Sequence, residues 1–494
     1  MPSKREILQS ISFGHRIAED ESQELANYFV ETDHWKRIFS GEIDIVYGLK
    51  GTGKSAIYSL LQNKSSELMD KRINVIVAEK PRGTPAFKDI VNEPPTSEAE
   101  FITLWKLYFL SLIGFQVKNI KSEDSNRLVD FLEEARLLPR ELNLRGIIKA
   151  AFDYAKKIVK AESFEGGLQF DPNTGMPAGV NGKITLKEPS HDLTSQGLAS
   201  IDHLLELANK IIKTSDSRIW ILIDRLDVAF ADSAELEKNA LRALFKVYLD
   251  MNDLENISLK IFLRSDIWKR VVDEGFRESS HITRSLTISW NPQSLLNLIM
   301  KRLLKNDAVV EYLGIDIEKI MGDINLQQET LYRIFPAQVD TGRNKPNTFD
   351  WLLSRTRDGN EDIATAPREL IHLLSSVREV QLKKLEIGGK EPGGSLLFDG
   401  ASLKEALNPV SKVRLEQTLY AEYPQHKQYL EKLNRAKTEQ TIDSLSVLWE
   451  VNQEDSYKIA TKLVEIGFFK KTVRNTYWVP FLYRSALNMV QGNA

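Results

Sequence analysis

The chain has 494 residues, enough for two to four domains at roughly 100–200 residues each. Its 42% hydrophobic and 27% charged content is that of an ordinary globular protein, and 66 basic against 69 acidic residues leave a net charge of −3. That balance argues against a whole-surface polyanion binder, while the absence of cysteine excludes disulfides, thiolate metal sites and thiol nucleophiles.

Residues 1–40 read as an N-terminal helical segment, with no apolar run of signal-peptide length. A β-type run, Ile43–Tyr47, leads into a glycine-rich turn and a helical pattern from Lys54. Ile73–Ala78 is the next β-type run. Phe101–Val117 is the most apolar segment; it is short for a membrane span and carries Lys106, so a buried helix is expected. Ser163–Pro189 holds eight Gly and Pro residues around short alternating stretches, the pattern of a β-hairpin insertion, read as a surface insertion or a partner-binding tip. Further β-type runs follow at Arg218–Ile223, Ser258–Leu263 and Leu286–Ile288, separated by helical patterns. Continuous apolar strands between helices imply an α/β fold with a parallel sheet covered on both faces. The expected plan is an N-terminal segment (1–40), an α/β domain (41–294, with the insertion at 163–189), a helical domain (295–408) and a small α+β domain (409–494), the last three read below as a P-loop domain, its helical lid domain and a winged-helix-like domain.

Gly48-Leu49-Lys50-Gly51-Thr52-Gly53-Lys54-Ser55 fits G-x-x-x-x-G-K-[ST], and a strand before it and a helix after it are the context this motif needs. A chance match in a glycine-containing turn is the rival reading. The glycines let the backbone wrap a phosphate chain, and the helix N-terminus beginning at Lys54-Ser55-Ala56 adds N–H donors. Lys54 would neutralise the β- and γ-phosphates of ATP, and Ser55 would ligate Mg2+.

Such a loop requires an acid at the end of a second strand. Trp220-Ile221-Leu222-Ile223-Asp224-Arg225-Leu226-Asp227 supplies it. Asp224 is the expected Mg2+ partner and Asp227 the group that polarises the attacking water; taken alone, the run also reads as a buried strand capped by solvated acids. The following strand ends in Arg264-Ser265-Asp266. Arg264 is placed to reach a γ-phosphate, or else to pair with Asp266 or Asp224. Arg368, behind Pro367 at a helix start, is a candidate nucleotide sensor or a helix-start ion pair. The seven histidines are dispersed, and no hydrolase elbow or kinase set is present.

The order of P-loop, hhhhDRLD, a strand ending LRSD, a helical region and APRELI resembles the initiator-type branch of AAA+ and STAND ATPases, which includes KAP-type ATPases and origin-recognition proteins. The opening FGHRIAEDESQELANYFVETDHWKRIFSGEIDIVYGLKGTGKSAI resembles bacterial cytosolic P-loop ATPases related to them. The resemblance implies a phosphate-sensing role for Arg264 and a lid-arginine role for Arg368. It also implies a cytoplasmic location and a setting in antiphage defence. Two departures stand out. Arg225 occupies the position where AAA+ enzymes place a catalytic glutamate, so Asp227 must substitute or hydrolysis is slow. The membrane helices usual in KAP-type proteins are missing. Arg277 and Arg284 are candidates for an inter-subunit arginine finger.

Residues 411–494 carry 12 basic and 9 acidic residues, a local charge of +3. After Glu465 there is no acid, while Lys470, Lys471, Arg474 and Arg484 follow. A helical stretch, a basic turn (KKTVRNT) and a returning strand (YWVPF) form the plan of a winged helix, with Lys470, Lys471 and Arg474 as candidate duplex-DNA contacts. Protein contact or an autoinhibitory lid is the competing role. The expected function is a nucleotide-dependent ATPase switch that assembles as a homo-oligomer or with a partner effector protein. A non-hydrolysing nucleotide-binding scaffold is the alternative, and a DNA-remodelling motor a third reading that no helicase motif supports.

Overall fold

The computed structural model describes residues 3–15, 25–78, 98–138, 149–151, 153–154, 200–224, 226, 234–273, 275–359 and 366–494. The hairpin expected at 163–189 and the candidate water-activating Asp227 lie outside the described residues. The chain divides into two compact units. A sheet unit comprises Asp33–Leu49 and Ile57–Ile288, and a helical unit comprises Met1–Thr32, Lys50–Ala56 and Ser289–Ala494.

The sheet unit is an α/β fold built on five parallel strands: β1 (Ile45–Gly48), β2 (Ile73–Val77), β3 (Arg218–Ile223), β4 (Ile257–Arg264) and β5 (Ser285–Thr287). Their order is β2-β3-β4-β1-β5, so β4 lies between the strand that enters the glycine turn and the strand that carries the acid. Successive residues Ile219 to Ile223 are all buried, which requires cover on both faces because neighbouring side chains alternate across a strand. The Glu98–Val117 helix supplies part of that cover. Phe101, Trp105, Phe109 and Ile113 are buried, 83% of its apolar window is enclosed, and the Trp105 indole donates to Ala240 O at 2.9 Å. Lys106 leaves this core by pairing with Asp202 and Asp250 at 2.8 and 3.0 Å.

One ionic cluster stands out in this unit. Asp44, just before β1, accepts from Lys260 Nζ at 2.6 Å, Arg284 Nε at 2.6 Å and Tyr248 Oη at 3.3 Å. The Lys260 ammonium also donates to Ile43 O at 2.8 Å and lies 4.3 Å from the Trp220 ring centroid. Burial pulls this ammonium below its ordinary pKa while Asp44 works the other way. Burial pushes the Tyr248 hydroxyl up to about 12. Arg284, a sequence candidate for an inter-subunit finger, is committed here to Asp44 and Gly41 O.

The helical unit contains the lid and the C-terminal domain. Asn291 caps the Pro292–Leu304 helix by accepting from Ser294 N at 2.7 Å, with proline in the first turn where no donor is lost. Residues near the N-terminus pack with these helices: Ile7 and Leu8 join their core, Ser12 N donates to Asn306 Oδ1 at 2.8 Å, and Arg378 Nε donates to Leu8 O at 2.8 Å. The C-terminal domain is winged-helix-like. A sheet of β6 (Lys437–Gln440), β7 (Lys470–Lys471), β8 (Tyr477–Trp478) and β9 (Val490–Asn493) accompanies the helices Ile442–Trp449 and Gln453–Glu465. The β7–β8 hairpin is the expected wing. β6 and β9 depart from the sequence reading, which has a helical stretch before the basic turn and no strand after YWVPF. The KTEQ strand has no apolar alternation and is held by pairing with β8 and β9 and by burial of Thr438 and Gln440.

Lys260→Met is expected to cost about 3 kcal/mol, the low end for a broken buried pair because Arg284 still serves the carboxylate. Chemical denaturation measures this, and adding Asp44→Asn should recover part of the loss; no recovery would mean that the two charges do not depend on each other.

Candidate functional site

A parallel sheet ends all its strands at one edge, and here that edge gathers three of the sequence-selected residues. Gly48, the last residue of β1, is the register partner of Arg264, the last residue of β4. Ile223 of β3 is level with Ile261 of β4, so Asp224 leaves the sheet at the same carboxyl edge. Asp224 is 5% exposed. The Arg264 guanidinium grips Asp266 through a two-point fork, at 3.1 and 2.7 Å. Burial would raise the Asp266 carboxyl, but the Arg264 contact outweighs it and holds the group below its usual range. Of the two partners weighed for Arg264 as an ion pair, the fork is thus to Asp266.

In the helical unit the loop residues Lys50–Ala56 have their own surroundings. Gly51 and Gly53 adopt φ of +88° and +104°, in the left-handed region that side chains disfavour. Gly51 also lies under close approach: a Cβ there would meet Arg368 Cβ at 3.0 Å and Glu369 Oε2 at 3.3 Å. Arg368 therefore sits against the loop through its own first carbons, beside Pro367 at the start of the Pro367–Glu386 helix. Thr52 is buried, and its carbonyl accepts from the Trp290 indole at 2.8 Å. Lys50 pairs with Glu422. Lys54 is 9% exposed, and Ser55 and Ala56 follow it in the first turn of the Lys54–Asn63 helix.

Three residues in these surroundings escaped the sequence reading: Trp290, Glu369 and Glu422. Only Glu369 stood near a quoted motif, as the third residue of PREL. Nothing local distinguishes a tryptophan after a strand, or a glutamate late in a helix, from ordinary surface or core residues.

The basic residues of the C-terminal tail separate into two kinds. Lys471 and Arg474 are exposed at the wing, with the fully exposed Val473 between them, and Lys470 is half-buried. Arg484 turns inward, 4.5 Å from the Trp478 ring centroid and 4.1 Å from that of Phe481, and donates to Val479 O at 2.8 Å. Burial, with Arg355 nearby, lowers its pKa to about 10. On the Gln453–Glu465 helix, Lys458 and Lys462 are paired with Glu454 and Glu465 of the same helix, both at 2.7 Å.

No protein-family model and no curated protein sequence matches the chain. Among solved structures it is similar to the Aeropyrum pernix ORC2 protein in its ADPNP–ADP complexes, at 12% identity over 97% of this chain and 96% of that one, with a TM-score of 0.30. It is also similar to the Aeropyrum pernix ORC1 protein in complex with DNA, at 12% identity over 99% and 98%, TM-score 0.32. The ADP form of ORC2 matches at 10% identity over 96% and 91%, TM-score 0.30. Likeness at this level assigns neither ligand nor activity to this chain.

Gly51→Ala is expected to lower stability by about 1–2 kcal/mol from the left-handed backbone alone, with a further loss from the contact with Arg368. Thermal unfolding against a Gly388→Ala control, positive in φ but open around its Cβ, separates the two contributions. Equal losses would mean that Arg368 exerts no pressure on Gly51.

Proposed function

We propose that the protein is a P-loop ATPase of AAA+ type that uses ATP and Mg2+ as a conformational switch. The observation that carries this reading is the loop conformation. Two glycines of G-x-x-x-x-G-K-S hold positive φ between a strand of a parallel sheet and a helix N-terminus, the geometry that aims backbone donors at a phosphate. In this reading Gly48 to Ala56 form the cradle, Lys54 neutralises the β- and γ-phosphates, and Ser55 takes Mg2+. Asp224 is the acid this chemistry calls for at the end of the second strand. Among the described residues no group of three His, Asp or Glu could hold a metal by itself. Asp227 is the proposed water-polarising group, Arg264 the γ-phosphate sensor and Arg368 the lid sensor. Arg264 would have to leave or share Asp266 to act, which makes its release part of the switch. The output is assembly or release, as a homo-oligomer or with an effector protein, in a cytoplasmic defence setting.

Contact with duplex DNA through the wing is the second reading. It is favoured by the exposure of Lys471 and Arg474 at the hairpin and weakened by the ion pairs that occupy the lysines of the Gln453–Glu465 helix.

Lys54→Ala should weaken equilibrium binding of Mg-ATP by about 10–100-fold, the worth of a charge-assisted hydrogen bond to phosphate. Unchanged affinity in the folded variant would sink the P-loop assignment. Asp227→Ala should bind ATP and lose turnover by roughly 10²–10⁴, as measured by phosphate release with and without duplex DNA. A parent protein that binds ATP without turning it over would favour the scaffold reading instead. For the wing, Lys471→Ala with Arg474→Ala should reduce DNA retention and flatten its dependence on salt; retention identical to the parent excludes the wing as the contact.

A further inference from the structure

A run of buried charges that the sequence reading did not single out leads away from the loop inside the helical unit. Glu369 is 7% exposed; its Oε1 accepts from Arg414 at 3.0 Å. Its Oε2 has no hydrogen-bond partner among the described residues, and it is the atom that a Cβ on Gly51 would approach. Arg414, 10% exposed, reaches Asp358 at 3.4 Å with its other terminal nitrogen. The next residue, Gly359, donates its N–H to Gly467 O at 2.7 Å, and a Cβ on Gly359 would stand 2.3 Å from Phe469 O. Two backbones therefore meet there with no room for a side chain. Gly467 to Phe469 join the Gln453–Glu465 helix of the winged-helix-like domain to its wing strand β7. A second contact runs alongside: Lys50 pairs with Glu422, the last residue of a helical stretch, 407–422, that leads into the same domain.

We propose that Glu369 and Glu422 couple the phosphate loop to the winged-helix-like domain, so that a nucleoside polyphosphate at the loop loosens that domain from the lid. The proposal rests on the nucleotide reading above. A polyphosphate at Lys50–Ser55 competes with Glu422 for the Lys50 ammonium. Its charge also opposes the Glu369 carboxylate, whose buried Oε2 has no donor to shield it. Arg414 transmits the change. Burial opposes its charge, but the neighbouring Tyr483, Glu369 and Asp358 outweigh burial and hold the guanidinium above its ordinary pKa. A guanidinium that loses Glu369 must turn toward Asp358, the residue before the Gly359–Gly467 strap. Coupling is reciprocal, so loosening the domain by mutation must tighten nucleotide binding by the same factor.

The chain has no cysteine, so Ile387→Cys and Val473→Cys, at positions 78% and 104% exposed, give a clean pair of spin labels on the lid and the wing of the full-length protein. Pulsed electron-resonance distances, read with and without Mg-ATP, should shift when the nucleotide binds. Glu422→Gln should bind Mg-ATP roughly five-fold more tightly, the low end of allosteric couplings, and without nucleotide should already show the shifted distances. Glu369→Gln should do the same, but it disturbs a buried pair; Glu422, at the more accessible contact, is therefore the deciding position. Distances that stay fixed while the parent binds Mg-ATP, or parental affinity in a folded Glu422→Gln protein, would overturn the coupling alone. A parent that does not bind Mg-ATP would overturn the nucleotide reading, and the coupling with it.

Discussion

The direction of the sheet is the constraint on which the rest of the sheet unit depends. Parallel strands must all finish at one edge, and the crossovers that make them parallel spread the finishing residues far apart in the chain. Gly48, Asp224 and Arg264 come to a common edge for that reason alone. The insertion of β4 between β1 and β3 adds the specific feature, because it sets a strand-end arginine between the start of the glycine turn and the acid. With another strand order the same three residues would be at the same edge but not neighbours in it.

Much of this was readable in the sequence because the signals were local. Apolar runs marked all five strands of the parallel sheet to within a few residues, the glycine octet marked the loop, and the basic turn between two aromatic stretches marked the wing. What escaped was held by tertiary contact. β6 is a Lys-Thr-Glu-Gln strand, polar at every position, and exists because β8 and β9 flank it and Gln440 is buried against them. Arg414 reads as an ordinary surface residue in a helical stretch, and only the fold reveals that two carboxylates and a tyrosine enclose it. Trp290 likewise carries no sequence sign that its indole will hold the Thr52 carbonyl.

The same separation explains how Arg264 could be singled out while its role stayed divided between two readings. Position at the end of a strand is a backbone property and follows from the pattern of apolar residues. The direction in which a long side chain points depends on which acceptor is nearest, and Asp266, two residues away, is already in place. A guanidinium forked onto one carboxylate is neither lost to function nor committed to it. The pair is partly exposed, so exchanging the carboxylate for a phosphate costs far less than it would in a sealed core.

Two buried ionic clusters in this protein illustrate the difference between anchoring and responding. Around Asp44 both carboxylate oxygens have donors, the ammonium of Lys260 has a carbonyl and an aromatic face as well, and the group has no unused bonding capacity. Such a network resists change, because any movement breaks a contact without making one. Around Arg414 the count does not close: Glu369 presents one satisfied oxygen to the guanidinium and one unsatisfied oxygen toward the loop glycine. A half-satisfied carboxylate in a buried place is held by its neighbour rather than by its own bonds, so a modest change of charge nearby can move it. The anchored cluster belongs to the foundations of the sheet, before β1 begins. The responsive one lies beside the loop, where a change of charge is the event to be sensed in the nucleotide reading proposed above.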